Sequence, residues 1–390
     1  MRPQVKRIVA WHPVLTDHQA YTYQELSRQS GLPVVVQVAK LQDETRRAQG
    51  WTDTRVTGVG RQLIPCDGFL NYGLRYLFSN RRQIHIFGSA FENWRMMIIL
   101  WVASLLRVEF YIVSEPYSKV EFGYLGDGSS FSGRAKAFLR PVLYKIYSRV
   151  LCKGISGLFA ISRVAIDQYK LSGIPAKKIF PFGYFVPSEP AGEENYSVSL
   201  VEERGSLNIV FIGSLIKIKG IPTLLAGVRR AAGSGASVRL DVYGPGDASQ
   251  FDFDGDHVRY RGKIPFGKAQ SYLTGYDILV LPSYYDGWGV VVNEALCAGV
   301  PVLCSDQVGA RVLVETFGAG QVFPRGNEQA LAEQLIALAA NPAKLQAMKS
   351  ACPAAADAIQ PARAAAYMLQ VLSAEPAARA AIPSPWYRTA

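Results

Sequence analysis

Short runs of β-branched and aromatic residues alternate with longer stretches of helical periodicity along most of this chain, and that alternation is its strongest constraint on fold. Arg7–Trp11, Pro33–Val38, Gln83–Phe87, Glu109–Val113 and Gly157–Ile161 read as strands in the first half. Leu207–Ile212, Val238–Tyr243, Val258–Tyr260, Asp277–Leu281 and Val300–Cys304 do so in the second. Helical patterns lie between them, as at Tyr21–Ser30, Asn93–Leu105, Val142–Cys152 and from Pro222 onward. Strands joined by helices predict parallel sheets built from βαβ units. The pattern fails between Pro187 and Ser206, where Pro187-Ser-Glu-Pro190-Ala-Gly-Glu-Glu-Asn is polar, acidic and proline-containing. At 390 residues the chain also exceeds what one hydrophobic core usually supports. The expected architecture is α/β: a doubly wound, Rossmann-like domain over 1–186, a linker over 187–205, a second such domain over 206–370 and an irregular tail over 371–390. An interdomain cleft is expected, with ligands at the carboxyl ends of the strands.

Composition narrows the class of partner. The chain is 49% hydrophobic and 19% charged, which excludes disordered, collagen-like and coiled-coil chains. Its net charge of +11 is uneven. Residues 1–190 hold 25 basic and 13 acidic side chains, whereas 191–390 hold 17 and 18. An anionic partner is therefore expected on the first half, either nucleic acid or an anionic membrane surface. Five cysteines without a Cys-x-x-Cys pair argue against a disulfide framework or zinc site and fit a reducing cytoplasm. The first residues lead into a strand and do not read as a signal peptide. The longest apolar run, Met96 to Leu106, has 11 residues against the ~20 that span a bilayer. A soluble protein, or one resting on a membrane without crossing it, is expected.

The most informative segment is Leu281-Pro-Ser-Tyr-Tyr-Asp286-Gly287-Trp288-Gly289-Val-Val-Val-Asn-Glu294-Ala-Leu-Cys-Ala-Gly299-Val-Pro301. A buried strand ends at Pro282, a glycine turn follows, and Gly299 with Pro301 closes a short helix. Backbone amides near Gly287–Val290, reinforced by the helix dipole, make an anion site flanked by two carboxylates. Such a layout suits a nucleotide sugar, with hydroxyls on either side of a diphosphate. Taken singly, Asp286 reads as a cap-region residue and Glu294 as a solvated helix residue. Trp288 in a turn is costly unless it covers a ligand or packs into a cleft. Upstream, Gly213-Ser214-Leu-Ile-Lys217-Ile-Lys219-Gly220-Ile-Pro222 runs from a strand through a lysine loop into a helix. A lysine there can neutralise a leaving diphosphate, or it is an ordinary solvated loop residue. Tyr243-Gly244-Pro-Gly246 is a second strand-end turn.

In this order the motifs resemble the nucleotide-sugar domain of family 4 (group 1) glycosyltransferases of the GT-B fold. Five features carry the resemblance over 206–370: the Gly213…Lys219-Gly220 loop, the Tyr243-Gly244-x-Gly246 turn, Val258-Arg-Tyr-Arg-Gly262, Tyr276-Asp277-Ile-Leu-Val-Leu-Pro-Ser283, and the two acids eight apart. It extends weakly to Leu158-Phe-Ala-Ile-Ser162 and Gly173-Ile-Pro-Ala-Lys-Lys178-Ile-Phe-Pro-Phe-Gly183. Two positions depart from the family pattern, which has Glu where Asp286 begins an Asp-Gly-Trp-Gly variant and often Arg where Ser214 stands. The resemblance implies a retaining, metal-independent, hexosyltransferase-type enzyme with no cofactor beyond its nucleotide-diphosphate sugar. It gives Asp286 the sugar hydroxyls, Glu294 the ribose hydroxyls, and Lys219 with the Gly287–Val290 amides the diphosphate. Gly213, Ser214, Lys217, Gly244, Gly287, Trp288, Gly289 and Val290 complete the expected donor site. It places the acceptor, lipid-linked or saccharide, on domain 1–186, and the protein in bacterial surface polysaccharide assembly (O-antigen, exopolysaccharide or capsule), cytoplasmic or peripheral on the inner face of the plasma membrane. The alternative is a non-catalytic GT-B-like protein that binds nucleotide sugar or membrane.

Asp252-Phe-Asp254-Gly-Asp256 contains the Asp-x-Asp of metal-dependent transferases but reads as a solvated loop between strands. No metal site is expected. Acceptor-side candidates are His12, Asp17 and His18 after the first strand, His85 in a central strand, and Glu115 after Tyr111-Ile-Val-Ser114. Each reads equally as a cap or a satisfied polar group, His85 in particular as a hydrogen-bonded strand histidine. No acid occurs from Gly128 to Ile166, while Arg134, Lys136, Arg140, Lys145, Arg149, Lys153 and Arg163 do. Leu139, Val142, Leu143, Ile146 and Val150 share one helix face there. This segment is either a basic amphipathic helix on an anionic membrane or a core helix with a solvated basic side. Nucleic acid is not expected, because no helix-turn-helix, zinc-finger or RNA-recognition signature accompanies the charge.

Overall fold

The computed structural model describes residues 5–41, 56–88, 93–117, 131–189, 205–253 and 255–387, with the side chains of 131–137 left aside. The chain divides into two units, one built from residues 1–117, 131–186 and 360–390, the other chiefly from 187–359. Each is an α/β unit on a parallel sheet.

In the first unit the strands are β1 (Ile8–His12), β2 (Val34–Val38), β3 (Val59–Leu63), β4 (Ile84–Gly88), β5 (Phe110–Ser114), β6 (Gly157–Ile161) and β7 (Ile179–Phe182), in the order β3-β2-β1-β4-β5-β6-β7. Between them run α1 (Asp17–Ser30), α2 (Phe69–Ser79), α3 (Trp94–Leu105), α4 (Phe131–Leu151) and α5 (Arg163–Ser172). β1, β4, β5 and β6 are buried along their whole length, as expected of strands covered on both faces. Trp11 and Phe87 stack at 5.6 Å across neighbouring strands within a core that includes Ile99, Phe110 and Leu158. The helix expected from Val142 begins eleven residues earlier, at Phe131.

The second unit orders its strands β10-β9-β8-β11-β12-β13: β8 (Leu207–Ile212), β9 (Val238–Tyr243), β10 (Val258–Tyr260), β11 (Ile278–Leu281), β12 (Val302–Ser305) and β13 (Gly320–Phe323). Its helices are α6 (Ile221–Gly233), α7 (Ala269–Leu273), α8 (Val290–Cys297), α9 (Arg311–Phe317), α10 (Glu328–Ala339) and α11 (Pro342–Ala358).

The expected boundary at 370 is corrected, and so is the irregular tail. Helix α12 (Pro361–Ser373) packs on α1 of the first unit, and Gln29 Nε2 donates to Ala362 O at 2.8 Å. Beyond it the chain is anchored by two side chains. Arg379 is buried, reaching Glu109 at 3.2 Å with its guanidinium over the Tyr111 ring. Trp386 is fully buried, stacked on Phe185 at 4.4 Å and edge-on to Tyr367 at 5.5 Å. Apolar area removed from water, not helix propensity, decides where this segment goes. Of the expected linker, 190–204 lies outside the described residues.

Trp386→Ala is expected to lower the stability of the first unit by about 3–5 kcal/mol, the usual cost of emptying a large aromatic site. Chemical denaturation reads this directly, and an unchanged midpoint would return the segment to a loose tail.

Candidate functional site

The strand order of the second sheet reverses between β8 and β11, the point at which such sheets open a ligand crevice. Two loops leave the carboxyl ends of these neighbours, one through a 3-10 turn at Lys217–Lys219 and one through Pro282 to Gly289. They meet backbone to backbone. Tyr284 N–H donates to Ile218 O at 2.8 Å, and a Cβ on Gly220 would stand 2.1 Å from the Pro282 carbonyl oxygen. Gly220 also holds φ +73°, so both space and conformation require glycine. The loop after β9 presses equally close, since a Cβ on Gly244 would lie 1.7 Å from Gly213 O.

Across the first two loops Lys219 Nζ donates to Asp286 Oδ2 at 2.6 Å, with both side chains mostly covered. Asp286 is fixed by its backbone: its N–H donates to Gln307 O at 3.1 Å, and its carbonyl accepts from Gly309 N–H at 3.0 Å. Four residues later α8 opens behind Gly289, which is left-handed at φ +89°. The first amides of a helix have no intrahelical acceptor and carry its positive dipole end. Cation, carboxylate and helix N-terminus therefore share one crevice, and that set accommodates a diphosphate together with a hydroxylated group.

Glu294 lies on α8, and burial, followed by the nearby Glu189 charge, pushes its carboxyl up from 4.5 to about 7. Glu189 was read as part of an acidic linker; the structure holds it in place. Its N–H donates to Gln270 Oε1 at 2.9 Å, and Gln270 Nε2 donates to Pro187 O at 2.8 Å. Gln270 sits on α7, which packs against α8. No local sequence signal marks this placement. A carboxyl near its half-protonated point both donates and accepts, which suits vicinal hydroxyls.

Of the two readings for Trp288 the structure shows packing: its ring is buried in the second unit, and Nε1 donates to Asn293 Oδ1 at 2.9 Å. Lys217 is exposed, Ser214 is half-buried, and neither joins the Lys219–Asp286 pair. The remaining sequence motifs brace the loops. Gly262 O accepts from Gly244 N–H at 2.9 Å, and Tyr260 Oη donates to Gly244 O at 2.9 Å. Tyr276 Oη donates to Asp241 Oδ2 at 2.7 Å, and Asp277 Oδ2 accepts from Asn208 N–H at 2.9 Å. Asp252 pairs with Arg229 at 2.9 Å on the surface, while Asp254 lies outside the described residues.

In the first unit the order reverses between β1 and β4, and His12 ends β1 against Gly88 at the end of β4. A Cβ on Gly88 would lie 1.9 Å from His12 Cε1. His12 Nε2 bonds Tyr23 Oη at 2.7 Å, its buried Nδ1 has no partner, and burial lowers its pKa to about 3. His18 and Glu115 come together through a residue the sequence did not mark. Tyr184 Oη donates to Glu115 Oε1 at 2.6 Å, and its ring lies 4.0 Å from that of His18. Asp17, in the first turn of α1, adjoins them in sequence. His85 is the hydrogen-bonded strand histidine of its second reading: Nδ1 accepts from Trp11 Nε1–H at 3.0 Å, and Nε2–H donates to Asn80 O at 3.0 Å. Burial lowers its pKa to about 4, so it stays neutral with both nitrogens used.

Residues 206–341 match the family model of group 1 glycosyl transferases. TuaC of Bacillus subtilis, a glycosyltransferase assigned to teichuronic acid biosynthesis, is 29% identical over 200 residues, which is 49% of this chain and 49% of that protein. The amylovoran biosynthesis glycosyltransferase AmsK of Erwinia amylovora is 28% identical over 196 residues, covering 46% and 47%. The chain thus spans about half the length of the curated relatives it matches. Among solved structures, HepE of Anabaena in complex with UDP superposes with a TM-score of 0.69 at 12% identity, over 94% of this chain and 99% of that one. The fold is GT-B, with two Rossmann-like units.

The raised Glu294 pKa has a consequence for stability. Between pH 4.5 and about 7 the folded protein keeps a proton that the unfolded chain releases, so stability falls as pH rises through that window. The loss is on the order of 3 kcal/mol. Glu294→Gln is expected to flatten it in denaturation curves taken across the window; an unchanged slope would place the titration elsewhere.

Proposed function

We propose that the protein is a retaining glycosyltransferase that moves a hexose from a nucleotide-diphosphate sugar to a lipid-linked or saccharide acceptor. Surface polysaccharide assembly in a bacterium, at the inner face of the plasma membrane, is the setting we infer. The observation that carries the reading is the Lys219–Asp286 pair across the β8/β11 reversal, beside the opening of α8. In it the diphosphate takes the Lys219 ammonium and the α8 amides, Asp286 turns to a sugar hydroxyl, and Glu294 holds the ribose diol. Positive charge supplied by Lys219 and a helix terminus gives the leaving diphosphate what a divalent cation supplies elsewhere, hence metal independence. Retention follows if the acceptor hydroxyl attacks the face the phosphate leaves. The C1–O bond to phosphate breaks, the C1–O bond to the acceptor forms, and the hydroxyl proton passes to the departing phosphate oxygen. His18, Asp17 and Glu115, with Tyr184 between the first and last, are the groups we assign to acceptor hydroxyls. His12, at the carboxyl end of β1, precedes Asp17 by five residues.

A panel of nucleotide sugars screened by thermal shift is expected to give one donor class that raises the melting temperature, because ligand bound only to the folded state stabilises it. Lys219→Ala and Glu294→Ala are expected to abolish that shift and the associated turnover, and wild-type turnover is expected to persist in chelator. Full activity in both variants, or an absolute Mn²⁺ or Mg²⁺ requirement, would refute the assignment. Binding without turnover toward any acceptor would favour the non-catalytic reading.

A further inference from the structure

The apolar stripe expected on the basic helix exists, and it points away from the domain. Helix α4 covers its own unit with Tyr144, Tyr147, Ser148 and Leu151. Ser148 and Leu151 are buried, and Tyr147 and Tyr144 meet Trp101 and Tyr169 ring to ring at 6.0 and 6.1 Å. The opposite side carries Phe138, Leu139, Val142, Leu143, Ile146 and Val150, each 42–74% exposed. At 100° per residue Leu139, Leu143, Ile146 and Val150 fall within about 60° of arc, centred about 120° round the helix from the buried face. Lys145, Arg149 and Lys153 line one flank of that arc, and no acid occurs between Gly128 and Ile166. Just past the carboxyl end of α4, Gly154 abuts Ser104 in the last turn of α3. That last turn bears Leu105, the most exposed large apolar side chain among the described residues, with Leu106 and Arg107 following it. A monomeric soluble protein seldom leaves so continuous an apolar strip open.

We propose that this strip, from Phe138 on α4 to Leu105 and Leu106, inserts into the headgroup–acyl boundary of an anionic lipid surface while Lys145, Arg149 and Lys153 take its phosphates. Charge selects this occupant. A second copy would set the same three cations against each other, whereas an anionic leaflet complements them. An amphipathic helix lying in such an interface buries its apolar face by ~5–10 Å. The inference deepens the peripheral-membrane part of the proposed function and is independent of the sugar chemistry.

The test uses the full chain and sedimentation with vesicles of phosphatidylcholine, with or without phosphatidylglycerol. Binding is expected only when phosphatidylglycerol is present. Brominated lipid acyl chains are expected to quench the emission of an Ile146→Trp variant more than that of the parent. Leu139→Asp with Ile146→Asp is expected to weaken binding at least tenfold at any salt concentration. Lys145→Gln and Arg149→Gln are each expected to weaken it about fivefold at low salt, an effect that high salt removes. Retention of the donor-induced thermal shift in the double aspartate variant shows that it is folded and separates this inference from the transferase reading. No binding to either vesicle, equal binding to both, or unchanged binding in the double aspartate variant would overturn the proposal. So would a dimer that the same variant dissolves.

Discussion

A strand buried on both faces can display polar chemistry only at its ends. Both sheets here are parallel with buried centres, so the candidate charged groups of the second unit lie on loops at the strands' carboxyl ends, as Lys219 and Asp286 do, or on the helix that follows, as Glu294 does. The loops after β8, β9 and β11 are drawn together by contacts that tolerate no side chain, at Gly220 against Pro282 and at Gly244 against Gly213. The Lys219–Asp286 pair forms because those backbones are already in place. The glycines set the position, and the ion pair sets the charge.

That arrangement explains why the two acids differ. Asp286 faces the Lys219 ammonium at hydrogen-bond distance. Glu294 is half-buried, and desolvation followed by the nearby Glu189 charge pushes its carboxyl up to about 7. One short strand–turn–helix unit thus offers an anion and a group that both donates and accepts. The neighbour responsible, Glu189, comes from the segment that enters the second unit and is fixed by Gln270.

The buried centre of each sheet is legible in the sequence, as is the edge strand β10, but the other three edges are not. β3, β7 and β13, which carry Gly60 and Arg61, Pro181, and Gly320 respectively, were all passed over, and all three are edge strands. An edge is half solvated, so its residues need not form an apolar run, and proline is tolerated where no ladder donor is required. Asp286, Glu294 and Lys219 were readable because local spacing places them at a turn or one helical turn beyond it. Glu189, Tyr184 and Trp386 were not, because only tertiary packing brings them to their partners. Which of the two readings holds for Trp288 depends in the same way on the packing that buries its ring. On α4 the apolar face was read correctly, but which side of the helix met the domain depended on Tyr144, Tyr147 and Ser148.

In the proposed reading Lys219 changes partner, leaving Asp286 for the diphosphate when the donor binds. Calorimetric titration of a nucleoside diphosphate lacking its sugar tests this most directly, with UDP and GDP run against wild type, Lys219→Met and Asp286→Asn. Lys219→Met should weaken binding at least tenfold, since a charge-assisted contact is lost. Asp286→Asn frees the ammonium and should bind the diphosphate at least as tightly as wild type. If Asp286→Asn instead weakens binding as severely as Lys219→Met, the pair is a structural brace and not a donor site.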